Sequence, residues 1–252
     1  MHIPTSSGSD SRFPIVLILH GLGDSGHAVE DMTAFSKKAD QAGFVAVYPQ
    51  ALDDPARWDI SGSRDTAFVA ALLTTLEADT CVDPARVYAT GMSMGGGMAN
   101  ALGCRLSDRI AAIAPVAGLY GPGWEGSCSP TRSMPVLAFH GVQDPIVPYA
   151  GGPITDPNGT LNDAPLVIAV ESWTAGWAAR NHCDPQPIAA HSIGKVVPLV
   201  WQHCAAPVEL YRINDGGHTW PGSSWDDPGT NRDINATDLI WQFFEARALP
   251  SI

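Results

Sequence analysis

The chain has 252 residues, 45% of them hydrophobic, and its 14 Lys and Arg stand against 26 Asp and Glu for a formal charge of -12. An acidic surface of that size repels phosphate backbones and anionic membrane surfaces, which excludes nucleic acid and membrane as partners. No run approaches the roughly 18 consecutive apolar residues that span a bilayer, and a single domain, residues 1–252, is expected to bury one core. Along the chain, apolar runs bounded by turn residues alternate with helix-period segments. That is the pattern of an α/β protein with a mostly parallel central sheet and helices on both faces. Pro14–His20 reads as a buried strand, Ala28–Gln41 as a helix, Phe44–Tyr48 as a strand, Asp65–Thr80 as a long amphipathic helix and Arg86–Thr90 as a strand. Gly95–Leu106 follows as a helix, Ile110–Val116 and Pro135–Phe139 as strands, Pro165–Asn181 as a helix, Val208–Ile213 as the last strand and Asp233–Ala246 as the closing helix. Gly118–Ser133 and Gly141–Ala164 are rich in glycine and proline, and long loops of this kind usually carry function.

Gly91-Met92-Ser93-Met94-Gly95 fits G-x-S-x-G, directly after the strand R-V-Y-A-T and directly before a helix rich in glycine and alanine. In such an elbow the serine occupies a strained turn, and small residues two positions before and after it let strand and helix pass. Ser93 is therefore the candidate nucleophile, at a helix N-terminus that favours a developing oxyanion. In the α/β-hydrolase arrangement an acid and then a histidine follow the serine, each at the C-terminal end of a strand. Asp144, just beyond P-V-L-A-F-H, is the leading acid; Asp156 and Asp163 lie farther along the same loop, and Asp215 is too near the histidine in sequence to face it. His218, in N-D-G-G-H-T-W-P-G after the last strand, is the leading base, while His140, His182, His191 and His203 read as structural. His218 would accept the serine proton as Ser93 attacks an ester carbonyl, with Asp144 fixing the imidazole tautomer. His20-Gly21-Leu22-Gly23 ends the first strand, so the backbone N–H groups of Leu22 and Met94 are the expected oxyanion donors.

Gly21-Leu22-Gly23-Asp24-Ser25-Gly26 is also a literal G-x-G-x-x-G, the dinucleotide fingerprint. That fingerprint needs an acidic residue at the end of the second strand, and here the strand ends Tyr48-Pro49-Gln50. No nicotinamide, metal or other cofactor is expected. The pairs His182-Cys183 and His203-Cys204 could supply two histidines and two cysteines to zinc, but adjacent ligands point apart on an extended chain. A Cys183–Cys204 disulfide is the better reading, closing a loop of about twenty residues for roughly 3 kcal/mol. Cys104 and Cys128 form the second candidate pair, and Cys81 is left over. The odd cysteine and the nearness of the first core strand to the start lead to the expectation that a signal peptide, and an N-terminal strand with another cysteine, have been removed. A secreted or periplasmic location follows. Trp173 and Trp177, four apart on a helix, read as core rather than ligand-binding, as does Trp241 with Phe244. Trp220 and Trp225, on the loop beyond His218, are expected with His20 at the substrate, where aromatic faces stack on a ring or sugar.

H-G-L-G-D-S-G, V-Y-P-Q-A with Trp58, C-V-D-P-A-R-V-Y-A-T-G-M-S-M-G-G, I-A-A-I-A-P-V-A-G, F-H-G-V-Q-D-P-I-V-P-Y-A-G-G, G-G-H-T-W-P-G and I-W-Q-F-F together cover nearly the whole chain. They resemble the esterase family that joins secreted feruloyl esterases, acetyl xylan esterases and polyhydroxybutyrate depolymerase-like esterases. The resemblance implies an α/β-hydrolase fold, secretion, metal-independent ester hydrolysis by Ser93, Asp144 and His218, and a Cys183–Cys204 bridge. Many members carry asparagine where this chain has Met94. C-V-D-P-A-R and the tryptophans near His218 look most like the feruloyl esterase branch, which releases hydroxycinnamates from plant cell-wall polysaccharide. The expected substrate is a small ester or a feruloylated oligosaccharide, handled by a monomer. The alternatives are acetylated xylan or polyhydroxybutyrate oligomers on the same three residues, and, more distantly, an inactive carbohydrate-binding homologue.

Overall fold

The computed structural model describes residues 1–5, 12–79, 82–155 and 165–250. In chain order it holds β1 (Phe13–Leu19), α1 (Gly26–Thr33), α2 (Phe35–Ala42), β2 (Val45–Val47), α3 (Arg64–Asp79), β3 (Val82–Met92), α4 (Met94–Arg105), β4 (Ala112–Val116) and α5 (Pro122–Glu125). There follow β5 (Val136–Gly141), β6 (Gly152–Pro153), β7 (Leu166–Val167), α6 (Val170–Arg180), β8 (Ile188–Ala189), β9 (Val196–Val200), β10 (Val208–Ile213) and α7 (Ala236–Glu245). The main sheet has the order β2-β1-β3-β4-β5-β10-β9-β8. From β2 to β10 every neighbour is parallel, and β9 and β8 close the edge antiparallel. This is the mostly parallel α/β-hydrolase sheet that the sequence implies.

Side-chain alternation along β1 explains why both faces must be covered. Ile15, Leu17 and Leu19 enter one core with α3, α4 and α6, while Val16 and Ile18 enter a second with α1, α2 and α7. In the first core Trp173 and Trp177 are fully buried, and both donate Nε1–H to Asn100 Oδ1, at 3.2 and 2.9 Å. Their reading as core holds. In the second, Trp241 stacks on Phe44 with ring centroids 4.2 Å apart, and Phe244 stacks on Tyr88 at 4.7 Å.

Two expected elements change in kind. Ala28–Gln41 is two helices, because Ala34 takes the left-handed conformation (φ 54°) and caps α1 through its N–H on Glu30 O. Val29, Met32, Phe35 and Ala39 still bury in the same core on both sides of that break, so the apolar period alone continues through it. Pro165–Asn181 opens as β7, paired with β6, and becomes helical only from Val170. Edge strands β8 and β9 were not expected. Two disulfides form as paired from the sequence: Cys104–Cys128 joins α4 to the loop after α5, and Cys183–Cys204 joins the end of α6 to the loop before β10. With its cysteines bridged, the alternative zinc site does not form. Cys81, Asp156 and Asp163 lie outside the described residues.

Candidate active site

At the sheet's centre β3 runs into α4 through Ser93, whose φ of 58° and ψ of -121° are rare for a residue with a side chain. Such a conformation costs about 1–3 kcal/mol and persists only where the surroundings hold it. Ser93 N–H donates to Val116 O at 3.0 Å, and Ser93 O accepts from Gly97 and Leu119. The flanking glycines are steric requirements: a Cβ on Gly95 would stand 2.0 Å from Leu19 O, and one on Gly91 2.5 Å from the same atom. Strand β1 thus passes directly against the elbow. Its extension does too, since a Cβ on Gly21 would lie 3.6 Å from Ser93 Cβ. Among the described residues the backbone N–H groups of Leu22 and Met94 have no backbone acceptor, and both residues line the cavity that Ser93 lines.

Asp144 and His218 come from the loops after β5 and β10. These loops touch backbone to backbone: a Cβ on Gly141 would meet Gly216 O at 2.2 Å, and Gln143 N–H donates to Gly216 O at 3.0 Å. His218 Nδ1–H then donates to Asp144 Oδ2 at 2.8 Å, while Asp144 Oδ1 accepts from the N–H groups of Ile146 (2.9 Å) and Val147 (2.8 Å). A third group, expected to be structural only, joins them. His140 Nε2 is 3.3 Å from Asp144 Oδ2 and 2.9 Å from Val147 O, both acceptors, so it carries its hydrogen there. Its place at the end of β5, i to i+4 from Asp144, was the available signal. Burial alone would raise the Asp144 carboxyl, but the hydrogen bonds and charges of His140 and His218 outweigh it and hold Asp144 well below the usual carboxylate range. With Nδ1–H committed to a carboxylate, the neutral form of the His218 ring would have Nε2 left as a proton acceptor.

The cavity shared by Ser93 and His218 has a volume of about 520 Å³. Met32, Met92, Leu119, Ile146 and Ile154 give it apolar walls, and Trp225, 37% exposed, stands at it with Asp24 and Asp227. Two expected substrate residues are not there. Trp220 is 1% exposed, donates Nε1–H to Thr237 Oγ1 at 3.0 Å and meets Phe35 edge-on, so the apolar neighbours of α2 and α7 claim it for the core. His20 is fully buried beneath the loop it opens. Its Nε2 accepts from Ala51 N–H at 3.0 Å, its Nδ1–H donates to Gly21 O at 2.7 Å, and burial lowers its pKa, which keeps the ring neutral. His20 therefore holds the loop that carries Leu22 and does not meet substrate directly.

The fold and this site are those of a serine carboxylic ester hydrolase of the α/β-hydrolase class. Residues 1–150 match the Esterase PHB depolymerase family, and the chain belongs to that family. It is 30% identical over 228 residues to "Feruloyl esterase B" of Piromyces equi, covering 85% of this chain and 41% of that protein. It is 28% identical over 252 residues to "Probable feruloyl esterase C" of Aspergillus terreus, covering 97% of this chain and 82% of that one. Among solved structures, the acetyl xylan esterase from Aspergillus awamori superposes with a TM-score of 0.70 at 15% identity, over 97% of this chain and 92% of that chain.

Proposed function

We propose that the chain is a secreted feruloyl esterase that releases hydroxycinnamates from plant cell-wall polysaccharide through an acyl-enzyme on Ser93. The observation that carries this reading is convergence. Ser93, His218, Leu22 and Met94 all line one apolar-walled cavity, the N–H groups of the last two without a backbone acceptor among the described residues, with an aromatic ring, Trp225, beside them. In the first half-reaction His218 Nε2 takes the Ser93 proton as Oγ attacks the ester carbonyl. The two N–H groups stabilise the oxyanion, and the imidazolium then protonates the departing alkoxide. Asp144 stays ionised and fixes the tautomer. Water, deprotonated by His218, hydrolyses the acyl-enzyme in the second half.

A cavity of about 520 Å³ is larger than an acetyl group needs and lies within the range that encloses drug-sized ligands. Methionines among its walls suit a flat aromatic acyl group, because their flexible thioethers pack well on ring edges. The relatives from Piromyces equi and Aspergillus terreus support the same choice, and the two disulfides fit an oxidising compartment. The test compares initial rates on methyl ferulate, nitrophenyl acetate and a hydroxybutyrate oligomer, with wild type and Ser93→Ala in parallel. Ferulate turnover abolished in Ser93→Ala is expected. Turnover of acetate or oligomer alone moves the substrate and keeps the mechanism, and equal rates in wild type and variant overturn the role of Ser93.

A further inference from the structure

A second cavity, of about 300 Å³, lies beside the first, and Met94 lines both. Its walls differ in kind. Asp53, Arg57, Asp59 and Arg64 surround it with two charges of each sign, Ser61 adds a hydroxyl, and the buried Trp58 and Ile60 close its base. The partition between the cavities is one short piece of chain: Pro55 faces the first, Asp53 and Arg57 the second, and Ala56 O accepts from Gly23 N–H at 2.7 Å. The charged groups are set by mutual contacts. Arg64 donates to Asp53 at 3.2 Å and to Asp65 at 2.9 Å, while Asp59 Oδ1 and Oδ2 accept from the N–H groups of Gly62 and Arg64. Among the described residues the Arg57 guanidinium is held at one edge only, its Nε 3.6 Å from Asp53, and its side chain remains more than half exposed.

An ester bound at Ser93 has two halves, and they need different surroundings. A hydrophobic acyl group gains nothing from a cavity ringed by four ionised side chains, whose desolvation would oppose it. An alcohol half built of sugar rings gains hydrogen bonds from such groups. Because the four charges cancel and Arg64 is committed, the cavity favours a neutral polyhydroxylated ligand over an anion. We propose that this cavity is the glycosyl subsite, receiving the sugar that carries the ester while the acyl group occupies the apolar cavity, with Arg57 as its principal adjustable donor. The proposal names the alcohol side of the proposed esterase and rests on that reading.

The experiment measures kcat/KM on the same feruloyl group carried by methanol and by a pentose oligosaccharide, for wild type, Arg57→Ala and Ser61→Phe. Arg57→Ala removes a donor and Ser61→Phe narrows the cavity, so two unrelated perturbations guard against a folding artefact. Both variants are expected to lower the ratio of oligosaccharide to methyl ester efficiency about tenfold, chiefly through KM on the oligosaccharide. An unchanged ratio in both overturns the subsite. Should wild type hydrolyse neither ferulate, the same ratio is taken with acetylated xylo-oligosaccharide over nitrophenyl acetate. There a tenfold fall upholds the subsite while the acyl assignment fails, and a constant ratio removes the subsite as well.

Discussion

Replacing Asp144 by asparagine tests the hydrogen-bond assignment of the whole site, because the substitution keeps shape and removes one acceptor. The amide oxygen can still accept from the N–H groups of Ile146 and Val147, which now bond Oδ1 at 2.9 and 2.8 Å. The amide nitrogen then stands where Oδ2 stood, facing the N–H of His218 at 2.8 Å and that of His140 at 3.3 Å. Donor meets donor at both. His218 relieves the conflict by moving its proton to Nε2, and that ring no longer accepts a proton from Ser93. The expected loss is about ten-thousandfold in kcat, roughly 5.5 kcal/mol of transition-state stabilisation, with KM little changed. Stability should respond with a definite sign. Because the folded carboxyl is held below its unfolded value, near 3.9, its contribution is present above about pH 4 and is lost as pH falls through the folded value. Urea midpoints of wild type and Asp144→Asn should therefore differ at pH 7, and the difference should shrink progressively as pH falls below about 4. Steady-state kinetics on nitrophenyl acetate, with circular dichroism to confirm folding, decides the matter. A folded variant within tenfold of wild-type kcat would remove Asp144 from the mechanism.

The two tryptophans after β10 should separate cleanly. Trp225→Ala is expected to raise KM for methyl ferulate about three- to tenfold with an unchanged melting temperature, since its ring is 37% exposed at the cavity; Trp220→Phe should leave KM unchanged and lower stability by about 1–3 kcal/mol, because its indole N–H bonds Thr237 inside the core. Denaturant melts run beside Michaelis curves read both, and the opposite assignment of effects would reverse the roles given to the rings. Cys183→Ser with Cys204→Ser should cost about 3 kcal/mol of unfolding free energy, read from urea midpoints, and an unchanged midpoint would mean the bridge constrains little.

What could be read from the sequence was whatever local chemistry dictates. Gly91 and Gly95 are needed because backbone oxygens stand where a Cβ would go, so the elbow shows in the motif itself. The buried parallel strands show as apolar runs for the same kind of local reason. What failed concerned direction. Trp220 and Trp225 sit on the same loop with the same residue type, and only the packing of Phe35 and Thr237 around one of them turns it inward. His20 lies one residue from the loop that abuts Ser93, yet its ring turns beneath it toward Ala51, a residue brought near by the β1–β2 pairing. His140 reads as structural from the sequence, and its link to Asp144 depends on a turn that brings Val147 O and the carboxylate to one nitrogen. The break at Ala34 left no mark in the apolar period, since both helices bury into one core.

The segment from Ala51 to Trp58 joins two properties that are usually varied apart. It fixes the loop carrying Leu22 through three contacts: Ala51 N–H to His20 Nε2, Trp58 Nε1–H to His20 O at 2.9 Å, and Gly23 N–H to Ala56 O. The same segment supplies Pro55 to one cavity and Asp53, Arg57 and Trp58 to the other. An oxyanion donor misplaced by a fraction of an ångström loses much of its effect, because it acts only if it is already aimed when charge develops. Changes here made to alter which ester fits therefore also reach the donor geometry, and kcat should move with KM when His20, Ala51 or Trp58 is disturbed. Arg57, whose side chain pairs with Asp53 among the described residues and which makes none of those three contacts, is the position where binding can be altered with the donors left in place.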